Sequence, residues 1–168
     1  MSGKWTIGLV SLMLTAPVAA ETSKNFQVSA VIANGCVISG GSGSLGTISF
    51  GTVNGAVTSN PEADLIGPAA TGLALDCTPG MTANVTAGPG NQAIAGVRRL
   101  RHSTLLNSHI SYDLLVGSGQ TLWTTQSVPL VFSAGTSRMV LPIRARAHLT
   151  APTAAGDYTD TVSITISW

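Results

Sequence analysis

Tyr158-Thr159-Asp160-Thr161-Val162-Ser163-Ile164-Thr165-Ile166-Ser167-Trp168 closes the sequence with a two-residue period. Val162, Ile164, Ile166 and Trp168 fall on one face and hydroxyl side chains on the other, the pattern of one strand half-buried against a core. Nothing follows Trp168 that turns back to pair with it, so the expectation is a sheet fold lacking one strand. A second alternating run, Phe26-Gln27-Val28-Ser29-Ala30-Val31-Ile32, lies near the other end and reads as a strand to spare. Together the two runs predict assembly between copies.

The first twenty residues have the build of a secretory signal peptide: Lys4 as the positive region, an apolar stretch from Trp5 to Ala16, and Val18-Ala19-Ala20 before the cleavage point. The apolar stretch is short for a membrane span, so the expected product is exported, starts near Glu21 and carries no span after cleavage. That leaves 148 of the 168 residues, enough for one domain with its own core. With Lys4 removed, seven Lys and Arg balance seven Asp and Glu, and nothing points to nucleic acid or an acidic membrane. The low charge leaves weak repulsion between copies, which permits self-association.

Cys36 and Cys77 are the only cysteines. In an oxidising compartment they are expected to form one disulfide, worth about 4 kcal/mol in the chain-entropy account. With no CxxC and no nearby His pair, zinc is not expected.

Turn residues punctuate the rest, and no window carries a 3.6-residue apolar period over three turns. The fold class is therefore all-β. Short strands are expected at Leu45 to Gly51, Thr71 to Cys77 (Leu73, Leu75 and Cys77 inward), Met81 to Ala87, His109 to Val116 and Val128 to Phe132, with residues 52 to 70 as loop. The longest alternation places Met139, Leu141, Ile143, Ala145, Ala147 and Leu149 on one face. Arg138, Val140, Pro142, Arg144, Arg146 and His148 take the other, with Pro142 marking an edge or bulge. Such strands imply a two-layer sandwich.

No catalytic, cofactor or metal site is expected. Gly41-Ser42-Gly43-Ser44-Leu45-Gly46 has the spelling of a dinucleotide loop but lacks the flanking strand and helix, so it reads as a flexible serine-rich loop. No GxSxG elbow or HExxH occurs, and the chain is not expected to be an enzyme. His102, His109 and His148 are scattered and read as solvated strand or loop positions; Asp157 and Asp160 read as turn-capping or surface residues. Arg98-Arg99-Leu100-Arg101-His102 reads as a solvated strand edge, with an anionic surface or polysaccharide as the alternative. Asn84-Val85-Thr86 is a glycosylation sequon by spelling that a strand setting explains without glycan.

Four segments carry a family resemblance: Phe26-x-Val28-x-Ala30-x-Ile32-x-x-Gly35-Cys36, Leu75-x-Cys77, Ile110-Ser111-Tyr112-x-Leu114, and Gly156-Asp157-Tyr158-x-Asp160-Thr161-Val162-x-Ile164-x-Ile166. They resemble the spore coat protein U family, which includes subunits of archaic chaperone-usher pili, over essentially the whole exported chain. The resemblance implies an incomplete immunoglobulin-like sandwich, residues 33–168, completed by a donor strand from another subunit, with residues 21–32 as the donor segment. It implies a periplasmic chaperone, an outer-membrane usher and neighbouring subunits as partners, and an extracellular adhesion or biofilm fibre as the product. Phe26, Val28, Ala30 and Ile32 match the donor positions; Val162, Ile164, Ile166 and Trp168 match the groove-lining terminal strand. Ala30 departs from the family's larger donor residue. The alternatives are a spore-coat structural protein and a secreted carbohydrate- or surface-binding module.

Overall fold

The structure, a computed structural model, describes residues 24–40 and 43–168, so the expected signal segment and Gly41-Ser42 lie outside the described residues. The chain divides into two units, Met1–Ile32 and Ala33–Trp168. In the first, residues 24–32 form no strand, and Phe26, Val28, Ala30, Val31 and Ile32 are all exposed.

Every regular element described in the second unit is a strand. In chain order these are β1 (Cys36–Ile38), β2 (Glu62–Asp64), β3 (Leu73–Cys77), β4 (Thr82–Ala87), β5 (Arg99–His102), β6 (His109–Val116), β7 (Thr121–Leu122), β8 (Val128–Val131), β9 (Arg138–Leu141), β10 (Ile143–His148), β11 (Tyr158–Thr159) and β12 (Ile164–Ser167). All pairings are antiparallel. They run β1-β3-β9, β11-β5-β6-β10-β2 with β7 on β6, and β12-β4-β8. No helix among the described residues is long and apolar enough to cross a membrane.

One core joins these sheets. Leu73 and Leu75 of β3, Val85 of β4, Trp123 and Phe132 are its most deeply buried large side chains. Trp123 keeps its indole N–H satisfied by donating to the Gln126 carbonyl at 2.8 Å, the partner a buried indole requires.

The long alternation around Pro142 holds its faces but changes partners. β9 pairs with β3, whereas β10 pairs with β6 and β2, so the chain crosses between sheets at a residue that has no N–H to give to either ladder. Leu141, Ile143, Ala145, Ala147 and Leu149 are buried throughout.

Four sequence expectations are corrected. Residues 45–51 form only an isolated bridge, Thr47 with Ile66, not a strand. Gly46 sits at φ +135°, where an added Cβ would lie 2.2 Å from the Ile66 carbonyl oxygen, and this turns the backbone out of the strand region. The expected loop over 52–70 contains β2, whose Glu62 and Asp64 are poor strand formers held by Arg146 and Arg144 across the ladder at 2.6 Å.

The closing run is two strands. β11 pairs with β5 and β12 with β4, because the side chain of Asp160 turns inward between them. Finally, the arginine-rich stretch is not a solvated edge throughout: Arg98 and His102 are buried. Arg98 donates to the carbonyls of Gly88, Trp123 and Thr124. Burial pulls its guanidinium below the ordinary value, opposed by the charges of nearby residues including Asp160 and Asp113.

Candidate interaction groove

An apolar groove of about 750 Å³ lies within the second unit. One wall is Ile38 of β1 with Leu45, Ile48 and Phe50 after it; the opposite wall is Val162 and Ile164, leading into β12. Leu65, Leu100, Leu114, Ile143 and Ala145 add to the apolar lining, and Ser44, Thr47, Tyr112, Asp160, Thr161 and Ser163 are its polar members. β1 and β12 each end a sheet, and among the described residues no strand pairs with the outer edge of either.

The backbone of the terminal wall has a defined polarity. The carbonyls of Thr161 and Ser163 are taken by the N–H groups of Asn91 and Gly88 at 3.0 and 2.8 Å. Strand alternation then directs the N–H and C=O of Val162 and Ile164 to the opposite, unpaired edge. Side chains supply an apolar lining while main-chain groups supply open hydrogen-bonding positions, the combination that receives an added strand.

What holds that wall in place is the Gly-Asp-Tyr-x-Asp-Thr stretch. Gly156 packs so closely on His102 that an added Cβ would stand 2.3 Å from the ring Nε2. Tyr158 meets His102 edge-on with ring centroids 4.8 Å apart, and its hydroxyl lies 2.8 Å from Ser108 Oγ and donates to the Ala154 carbonyl. Asp160 accepts from Gln92 N through Oδ1 at 3.0 Å and from the Tyr112 hydroxyl through Oδ2 at 2.7 Å. Its carboxylate is thus a tether rather than the surface cap expected from sequence. Burial, reinforced by the bond to Asp160, pushes the Tyr112 phenol well above the ordinary tyrosine range, so it remains a donor.

The other wall is fastened covalently. Cys36 and Cys77 are direct partners in the β1–β3 register and are joined by a disulfide. Beside it, Asp76 accepts from Ser39 Oγ at 2.6 Å and pairs with Arg138 at 2.8 Å, and the arginine holds its carboxyl below the usual range.

Of the four terminal residues singled out in the sequence, Val162 and Ile164 line the groove. Ile166 is half-buried against the core, and Trp168, beyond β12, is 60% exposed; neither lines the groove. Phe26, Val28, Ala30 and Ile32 are exposed in the separate N-terminal unit. Sequence reading missed the first wall as a wall: the apolar Leu45, Ile48 and Phe50 were visible, but not that they border an opening. Among the described residues no three His, Cys, Asp or Glu side chains gather as a metal site.

Residues 22–165 match the Spore Coat Protein U domain. The chain belongs to this family. Among solved structures, this spore coat protein U chain is similar to the CsuC-CsuE chaperone-tip adhesion subunit pre-assembly complex from archaic chaperone-usher Csu pili of Acinetobacter baumannii. The identity is 16% and the TM-score 0.49, over 82% of this chain and 40% of that one. It is also similar to a chaperone-tip adhesin complex of CFA/I fimbriae, at 13% identity and TM-score 0.45 over 69% of this chain and 37% of that one. The chain thus spans about two fifths of the length of these structures. No curated protein sequence matches it.

Proposed function

We propose that the chain is a structural subunit of an extracellular chaperone-usher fibre, polymerising by donor-strand complementation. The observation that carries this reading is the apolar groove between two sheet edges that no described strand pairs with. Family membership supports it, as does the exposure of an alternating apolar segment in the N-terminal unit. In this reading residues 21–32 of one copy enter the groove of another, with Phe26, Val28, Ala30 and Ile32 against the lining that includes Val162 and Ile164. Main-chain groups of the donor then pair with the open edge at Val162 and Ile164.

Burying Phe26, Val28 and Ile32 contributes roughly 5 to 9 kcal/mol at about 1.5 to 3 per side chain, comparable with a domain's whole margin of stability. An unoccupied subunit is therefore an aggregation hazard that a periplasmic chaperone covers until an outer-membrane usher exchanges it for the next subunit. A contact of this head-to-tail kind does not close on itself, so repetition gives a fibre outside the cell, in adhesion or biofilm.

The test is deletion of residues 21–32 from the exported chain. The truncated subunit is expected to bind its chaperone and to form no heat- and detergent-resistant multimers. Multimers of normal length from the truncation contradict the proposal.

A further inference from the structure

Most cations of the second unit already have partners. Arg98 is buried on three carbonyls, and Arg138, Arg144 and Arg146 pair with Asp76, Asp64 and Glu62. Arg99 and Arg101 are the exceptions: among the described residues neither forms an ion pair. Arg99 donates only through Nε, to the Gln92 carbonyl at 3.3 Å, which leaves its terminal amino groups open. Arg101 is exposed.

The strand pattern puts both guanidiniums on one surface. Leu100 lines the groove and His102 is buried, so Arg99 and Arg101 point the other way, about 7 Å apart along β5. Register sets their neighbours: Arg101 lies between Thr159 of β11 and His109 of β6, and Arg99 lies beside Ser111, which pairs with His148 of β10. Asp113, two positions along β6 from Ser111, is held by His148 at 2.9 Å. Asp160 is occupied by Gln92 and Tyr112. Asp157, exposed two positions before Thr159, is thus the one acidic side chain of the second unit without a partner among the described residues.

We infer that Arg99 and Arg101 form a binding surface for an acidic, carboxylate-bearing polysaccharide. Planar guanidiniums meet carboxylates with paired N–H donors, and the hydroxyls of Ser111 and Thr159 beside them suit those of a sugar. A second copy offers little in return, because the carboxylates of its second unit, Asp157 apart, are already taken. A nucleic-acid strand is held on aromatic platforms, and this face carries no Phe, Tyr or Trp. An anionic membrane is held by clusters of about four to eight cations, and two are too few. The surface is on the opposite face of β5 from the groove, so the inference stands apart from the fibre reading.

The test is an NMR titration of the exported chain with tetragalacturonate, alongside neutral maltotetraose and a short oligothymidylate. Saturable shifts at Arg99, Arg101 and Ser111 are expected with tetragalacturonate, weakened by added salt, and none with maltotetraose. In the double variant Arg99→Gln, Arg101→Gln the apparent affinity is expected to fall about five- to thirtyfold, the range for two exposed charge pairs. Lys24→Gln, which removes a cation of the N-terminal unit, should change it by less than about twofold. An equal loss in Lys24→Gln overturns the inference. The parent chain alone provides a second check: no shifts at these positions, equal shifts with maltotetraose, or tighter binding of the oligothymidylate also overturns it. So does a salt-sensitive dimer that the double variant abolishes, which would assign the surface to a second copy.

Discussion

The hydroxyl of Tyr112, on β6 in the groove's floor, donates to Oδ2 of Asp160, on the groove's terminal wall, at 2.7 Å. The bond spans 48 positions of sequence and ties the wall to the sheet beneath it. It also explains Gly90, where an added Cβ would stand 2.2 Å from the same carboxylate oxygen. Tyr112→Phe removes the donor while leaving the carboxylate half-enclosed. The expected cost is about 1 to 3 kcal/mol, the range for stranding a charged acceptor, read as a lower denaturation midpoint with an unchanged m-value.

Arg98 answers three carbonyls from two separate turns. Replacing it with Met keeps much of the volume and strands those acceptors in a water-poor site. Arg98→Met is expected to destabilise the chain by about 3 kcal/mol or more, while Arg101→Met, at an exposed position, stays within about 0.5 kcal/mol. Chemical denaturation of the two variants side by side measures the difference.

Acid should weaken the sheets through their arginine-paired carboxylates. Hydrogen bonds from Arg146, Arg144 and Arg138 hold the carboxyls of Glu62, Asp64 and Asp76, respectively, below their ordinary values. Carboxyls lowered in the folded chain contribute stability that is present above their unfolded values, near pH 4, and is lost as the pH falls through the lower folded ones. The melting temperature should thus decline below about pH 4. Replacing Asp64 with Asn should flatten part of that decline.

Val28 is 83% exposed in the N-terminal unit, so a charge there costs the free subunit little. In a groove lined by leucine, isoleucine and valine the same charge is unpaired. Val28→Asp is expected to leave the melting temperature of the monomer unchanged and to slow subunit addition more than a hundredfold, equivalent to about 3 kcal/mol. Polymerisation kinetics on matched monomer preparations provide the comparison.

The two-residue period was enough to place Leu73, Leu75 and Cys77 of β3 and the inward face of the β9–β10 run, because these side chains all enter one common core. Partner choice was not legible. Nothing local in Glu62-Ala63-Asp64 announces a strand, since its pairing depends on arginines 80 and 84 positions away. Likewise Arg98 and His102 read as polar and therefore solvated, and only the turns that fold over them supply the acceptors and donors that keep them inside. The closing alternation predicted the correct faces of Val162 and Ile164 but not the break at Asp160, because that break is set by Tyr112 and Gln92. The groove itself lay beyond sequence reading for the same reason: an opening is defined by which edges remain unpaired, and edges are known only once every pairing is.

Backbone and methyl NMR of the chain beginning at Glu21, titrated with a synthetic peptide of residues 24–32, tests the central claim most directly. The account predicts saturable shifts at Leu114, Val162 and Ile164, slowed amide exchange at Val162 and Ile164, and none of these changes at the exposed Val131 and Val140. Shifts confined to residues outside the groove, or no binding at millimolar peptide, would contradict it.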